Sequence, residues 1–294
     1  MPFAPPPAAV QVAQVEQAAP KSDAAMKEKP AEKAPPVVDP LAAQDNEPPS
    51  DDEVALFDDG VFVYTGGEYK DESFHYRLLK PLAIEAGKKY PVVLFLHGAG
   101  ERGDDNKTQL MHFPVVMAEP KNRAAYPCFL IAPQCHRGRK WSNVNWSAKS
   151  SEPMPASTSD QMNVALGILD RVLAEYPTDA DRVYLTGLSM GGYGSWDLAE
   201  RMPERFAALA PICGGGNVER ADRLVNIPTW AWHGDKDPAV PVARSREMIA
   251  AIEKAGGHPK YTELPGVAHN SWIQAYHDPN GLLPWMFAQV RAAK

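Results

Sequence analysis

Past residue 53 the spacing of hydrophobic and polar positions changes several times along the chain. Apolar and polar residues alternate over positions 54–64 and again over 73–79, and Gly66-Gly67 stands between them, which predicts an antiparallel opening pair of strands. Positions 90–96 read Tyr-Pro-Val-Val-Leu-Phe-Leu with no charged or hydroxylic aliphatic residue, the composition of a strand covered by helices on both faces. A second run of this kind covers 129–132 and ends at Pro133. From Thr158 the period lengthens: Met162, Leu166, Leu169, Val172 or Leu173, and Tyr176 recur every three to four residues behind Ser and Thr capping candidates, predicting an amphipathic helix that ends before Pro177. Strands are then predicted over 182–186, 206–212, 228–232 and 260–264, with helices from Ser189 to about Met202 and over 242–255. Alternating buried strands and helices specify the α/β class, a mostly parallel central sheet with helices on both faces.

Composition divides the chain. Residues 1–52 are dominated by Pro and Ala and nearly lack aromatics after Phe3, so they cannot bury enough apolar surface to offset the entropy of ordering; they are expected to form a tail or linker, with one catalytic domain over 53–294. A Pro/Ala-rich spacer of this kind is expected of an exported enzyme, whether periplasmic, surface-tethered or secreted. A net charge of -7 and the lack of a dense Lys/Arg cluster argue against a nucleic-acid partner, and no apolar run approaches the roughly 20 residues that cross a bilayer. The cysteines Cys128, Cys135 and Cys213 lack metal-ligand spacing and read as core or loop thiols; oligomeric state is left open.

Candidate chemistry centres on Gly187-Leu-Ser-Met-Gly191. Between a β-rich apolar run and a helix, Gly-x-Ser-x-Gly is the nucleophile elbow, a sharp turn that lifts Ser189 above the sheet. A serine hydroxyl needs a base within hydrogen-bond reach and a third group that orients the base, and this fold sets their order as Ser, acid, His. His258 precedes the last strand, at the wrong end of the sheet, and His233 precedes the candidate acids. His269, in Gly266-Val-Ala-His-Asn-Ser-Trp272 beyond the final strand, is the candidate base, with His277 as its bland competitor. Asp235 and Asp237, both in the loop after His233, are candidate acids. The oxyanion formed during acyl transfer needs two backbone N–H donors. Met190 supplies one candidate and Ala99 in His97-Gly-Ala-Gly100 the other, with Gly98 and Gly100 as alternatives.

His97-Gly-Ala-Gly-Glu-Arg-Gly-Asp-Asp-Asn106, Ala132-Pro-Gln-Cys135 with Trp141, Gly187-Leu-Ser-Met-Gly-Gly192, His233-Gly-Asp-Lys-Asp237 and Val267-Ala-His-Asn-Ser-Trp272 together resemble the predicted-peptidase or phospholipase-like branch of the α/β-hydrolases, related to dienelactone hydrolases, polyhydroxybutyrate depolymerase-type and feruloyl-type esterases. The resemblance runs from about Val54 to the C-terminus. It implies the α/β-hydrolase fold, and Asp237 rather than Asp235 as the acid, because Asp237 stands before Pro-Ala-Val-Pro. It also implies hydrolysis of a carboxylic ester through an acyl-enzyme without cofactor or metal; a serine peptidase and a non-catalytic binding protein on the same fold are the competing expectations. Only about fifteen residues separate positions 212 and 228, too few for a large cap domain. An open site is expected, suited to short acyl esters or esters borne on a polymer and bordered by the 134–157 loop, whose Trp141 and Trp146 are candidate substrate contacts. The charge run at Glu101, Arg102, Asp104, Asp105 and Asn106 reads as a solvated or salt-bridged loop.

Overall fold

A computed structural model describes residues 47–291, so the tail expected over 1–52 lies outside the described residues up to position 46. Its last few positions depart from that expectation. Ser50 caps a short helix, α1 (Asp51–Val54), and Glu53 reaches back to the Ser50 amide at 2.8 Å, completing a capping box. Val54 therefore ends a helical turn instead of starting a strand.

The remaining elements in chain order are β1 (Asp58–Gly66), β2 (Tyr69–Leu79), β3 (Tyr90–Leu96), α2 (Phe113–Ala118), α3 (Pro120–Ala125), β4 (Phe129–Pro133), α4 (Asp160–Glu175), β5 (Thr178–Leu188), α5 (Met190–Arg201), β6 (Ala208–Ile212), β7 (Trp230–Gly234), α6 (Ala243–Lys254), β8 (Lys260–Leu264), α7 (Trp272–His277) and α8 (Leu282–Phe287). The eight strands form one sheet in the order β1-β2-β4-β3-β5-β6-β7-β8. The β1–β2 and β2–β4 pairs are antiparallel and the other pairs parallel.

All seven residues of β3 are buried, as its uninterrupted apolar run requires. Side chains alternate across a strand. Val92, Leu94 and Leu96 thus join the layer containing Met162, Leu169 and Val172 of α4, Trp196 of α5 and Ile252 of α6, whereas Val93 and Phe95 join Phe113 of α2, Tyr276 of α7 and Leu282 of α8. β5 starts at Thr178, four residues before its predicted start, because Tyr90 pairs with Thr178 across a register irregularity. Between β6 and β7 the chain makes one seven-residue 3-10 helix, Val218–Leu224, and no cap is inserted. The parallel strands deliver their following loops to one end of the sheet, the end where open α/β sheets form their ligand sites.

Candidate active site

Ser189 joins β5 to α5 with φ 55° and ψ -115°, a left-handed conformation that a residue with a Cβ adopts only under strain. Gly191, two residues on, has no positive φ; its constraint is space. A Cβ there would lie 1.7 Å from the Leu96 carbonyl oxygen. The glycine thus lets the first turn of α5 close onto the end of β3, and the strained torsion falls on the serine itself. The Ser189 amide donates to Ile212 O at 3.0 Å, which ties the elbow to β6.

His269 lies in the loop between β8 and α7, with its Nε2 2.9 Å from Ser189 Oγ and its Nδ1 2.7 Å from Asp237 Oδ2. The acid and histidine loops meet closely because Gly234 lacks a side chain: a Cβ there would sit 2.2 Å from Ala268 O. Asp237 is held by four donors. Its Oδ1 accepts from the Ala239 and Val240 amides at 2.8 and 2.9 Å, and its Oδ2 accepts from His233 Nε2 at 3.1 Å as well as from His269. Burial alone would raise this carboxyl's pKa, but the hydrogen bonds from His233, His269 and the Val240 amide outweigh it and hold the group well below the usual carboxylate range. An ionised carboxylate only accepts, so Nδ1 of His269 carries a proton, and in the neutral ring Nε2 presents its lone pair to the serine hydroxyl. Burial pulls the His269 pKa down, yet the Asp237 hydrogen bond and the neighbouring Cys213 push it above the ordinary histidine value. Trp272 packs against this imidazole at 89°, with ring centroids 5.3 Å apart.

Asp235, the other candidate acid, turns away from His269. Its Oδ1 accepts from the Gly266 amide at 2.6 Å and so fastens the acid loop to the histidine loop. His258 is exposed ahead of β8, and His277 ends α7.

The two oxyanion candidates flank the elbow. Met190 is the first residue of α5, where an amide has no acceptor within the helix. Ala99 follows β3 in a loop held by His97, which is fully buried with its pKa lowered to about 4 by desolvation. Neutral His97 accepts from the Cys135 amide through Nε2 at 2.9 Å and donates from Nδ1 to Gly98 O at 2.6 Å. Ala99 O takes the Arg102 Nε donor at 2.8 Å. The charge run that follows is hydrogen-bonded but only partly solvated, since Glu101 and Asn106 are buried: Asn106 donates to Asp59 Oδ1 at 2.8 Å, and Asp105 accepts from the Lys107 and Thr108 amides at 3.0 Å.

The expectation for Trp141 needs correction. Its side chain is 1% exposed, and its Nε1 donates to His97 O at 3.0 Å, so it braces the loop after β3 from inside the core and does not border the opening. Trp146 is partly buried, with the Lys140 ammonium 4.6 Å from its ring centroid. Two residues near the site were given no role in it by the sequence: His233, set aside as a base, which holds Asp237, and Cys213, read as a core or loop thiol, which has φ 39° and lies beside His269. Cys213, Asp237 and His269 offer ligand atoms within 4.8 Å of one another. A metal there would have to displace the His233 and His269 bonds to Asp237.

The model of the Esterase family, described as "Putative esterase", matches residues 69–260. A thermostable esterase of known structure is 37% identical and superposes with a TM-score of 0.73, covering 81% of this chain and 64% of that one. An uncharacterized secreted protein of Arthroderma benhamiae is 24% identical over 227 residues, 64% of this chain and 23% of the relative. A bifunctional acetylxylan esterase/xylanase of Neocallimastix patriciarum is 38% identical over 71 residues, 24% of this chain and 10% of the relative. The chain thus spans less than a quarter of the length of these two relatives. With the matched segment running from β2 to the start of β8 and so containing the elbow and the acid loop, the chain belongs to the Esterase family on an α/β-hydrolase fold.

Proposed function

We propose that this protein hydrolyses carboxylic esters through a serine acyl-enzyme, with Ser189 as nucleophile, His269 as general base and then general acid, and Asp237 as the group that orients His269. The observation that carries the reading is the continuous line of two hydrogen bonds, Asp237 to His269 at 2.7 Å and His269 to Ser189 at 2.9 Å. His269 Nε2 takes the Ser189 proton as Oγ attacks the ester carbonyl, then gives it to the departing alcohol. Water repeats the cycle on the acyl-enzyme. Asp237 stays ionised and steadies the imidazolium. The amides of Met190 and Ala99 receive the oxyanion; one such donor is typically worth about 2.7–4 kcal/mol of barrier.

Substrate access follows from the fold. Ser189 is half-buried, the His269 side chain keeps 25% of its surface exposed, and no cap stands between β6 and β7. An unroofed serine suits short-acyl esters or esters protruding from a polymer. Among the described residues no helix is long and apolar enough to cross a membrane, and a relative is named as secreted; both accord with an exported enzyme.

The test compares p-nitrophenyl esters of graded acyl length with peptide anilides. Ester turnover that falls with acyl length, exceeds anilide turnover, and drops by about 10⁴-fold or more in Ser189→Ala is expected. Ordinary esterase activity in Ser189→Ala ends the proposal.

A further inference from the structure

A second concave site lies beside the loop that carries Ala99. A cavity of about 520 Å³ opens between the β1–β2 hairpin and the loops that follow β3 and β4, with Glu72, His75, Asp104, Gln134, His136 and Arg137 on its wall. Small-ligand sites commonly have this volume. The floor is fixed. Buried Gln134 donates from Nε2 to Glu101 O at 3.2 Å and to Asp105 Oδ1 at 2.7 Å, and its Oε1 accepts from the Asn106 amide at 2.8 Å. The His136 ring stacks on Phe74 with centroids 4.4 Å apart, and its amide donates to Gln161 Oε1 at 3.0 Å. Glu72, Asp104 and Arg137 are exposed around this floor.

The position of the cavity follows from chain connectivity. Gly103 lines it and stands four residues after Ala99, and four extended residues span at most about 14 Å. The same loop abuts the elbow: a Cβ at Gly98 would lie 2.8 Å from the side chain of Leu188, the residue before Ser189. A substrate with its acyl carbon at Ser189 can therefore extend its alcohol side past the loop into the cavity.

The wall's chemistry narrows the ligand. Carboxylate acceptors, a guanidinium donor and two imidazoles face one space, and no aliphatic or aromatic hydrocarbon side chain lines it. An acyl chain or an aliphatic polyester would find no hydrocarbon side chain there to pack against. Nor do these groups gather round one point: among the described residues, the three-residue donor set that converges tightly is Cys213, Asp237 and His269, not any set here. Spread donors and acceptors match a ligand carrying many hydroxyls, each able to give and accept a hydrogen bond.

We propose that this cavity binds the carbohydrate that bears the scissile ester, holding the alcohol side of the substrate while Ser189 takes the acyl group. This rests on the ester-hydrolase reading above, and the test separates the two. Calorimetric titration of the full chain with unesterified xylo-, gluco- and manno-oligosaccharides measures binding without any catalytic step. At least one series is expected to bind saturably, with affinity reduced about tenfold in Glu72→Ala/Arg137→Ala and retained in Ser189→Ala. In kinetics, the ratio of kcat/KM for acetylated xylo-oligosaccharide to that for p-nitrophenyl acetate is expected to fall about tenfold in the double variant, through KM. No binding by any series, binding indifferent to the double substitution, or an unchanged ratio overturns the proposal. Failure to hydrolyse p-nitrophenyl acetate overturns the ester-hydrolase reading, and the titration still decides the cavity.

Discussion

His233 and His269 share one carboxylate oxygen: Oδ2 of Asp237 lies 3.1 Å from Nε2 of the first and 2.7 Å from Nδ1 of the second. His233 is fully buried, and its Nδ1 is hydrogen-bonded with Ser245 Oγ at 2.8 Å, so the ring that holds the acid is itself fixed. Hydrogen bonds to charged groups are worth about 1.5–3 kcal/mol. His233→Phe is expected to lower kcat about 10- to 100-fold with KM little changed, because Asp237 would be less well oriented and more easily protonated. A kcat equal to that of the parent protein, in a variant that still folds, removes His233 from this role.

The pH profile follows from the raised pKa of His269. The base works only when neutral, so kcat/KM is expected to fall as pH drops through a value above the ordinary histidine 6.5. Asp237→Asn removes the charge that supports the imidazolium and leaves Cys213 as the remaining group opposing burial. The acid limb should move down, and kcat should drop by about 10⁴. An unmoved limb in that variant contradicts the pairing.

Gly191→Ala tests the packing of the elbow. Its methyl would occupy space 1.7 Å from the Leu96 carbonyl, a backbone atom that cannot swing aside. Overpacking of this kind typically costs about 1–3 kcal/mol, and a rigid backbone contact belongs at the upper end. A thermal midpoint more than about 4 °C below that of the parent is expected.

Acid stability has a contribution from the loop after β3. Asp105 is pushed up by burial, but the Thr108 hydroxyl, the Lys107 and Thr108 amides and Gln134 bring its pKa down to about 2 from 3.8. A depressed carboxyl stabilises the fold above its unfolded pKa and loses that contribution as pH falls toward its folded one. Asp105→Asn should therefore lower the thermal midpoint at neutral pH by about 2–4 °C, a figure held small because the group is exposed, and should flatten the curve between pH 4 and 2. Parallel curves for the two proteins would exclude Asp105 as the source.

Much of this architecture was legible in the sequence because strong periodic signals coincide with long elements. The apolar run of β3 and the three-to-four spacing of α4 match the structure closely. Four six-residue helices, α2, α3, α7 and α8, escaped notice, since one or two turns carry too few apolar positions to reveal a period. Asp235 and Asp237 sit two residues apart on one loop; the family resemblance favours Asp237, and the physical distinction is tertiary, a bond to Gly266 for the first and to His269 for the second. Trp141 was misplaced because an irregular loop has no periodicity to say which side chains turn inward. The pairing of His97 with the Cys135 amide spans 38 residues and leaves no local trace.

The left-handed torsion of Ser189 has a consequence for the protein as a whole. Such conformations cost on the order of 1–3 kcal/mol each in a residue with a Cβ. The polypeptide would rest more easily with glycine at position 189, and Ser189→Gly should unfold at a higher temperature than its parent while losing its chemistry. The hydroxyl proposed as nucleophile is kept at the expense of robustness, and the dense packing around Leu96, Gly191 and Ile212 is what makes that tolerable.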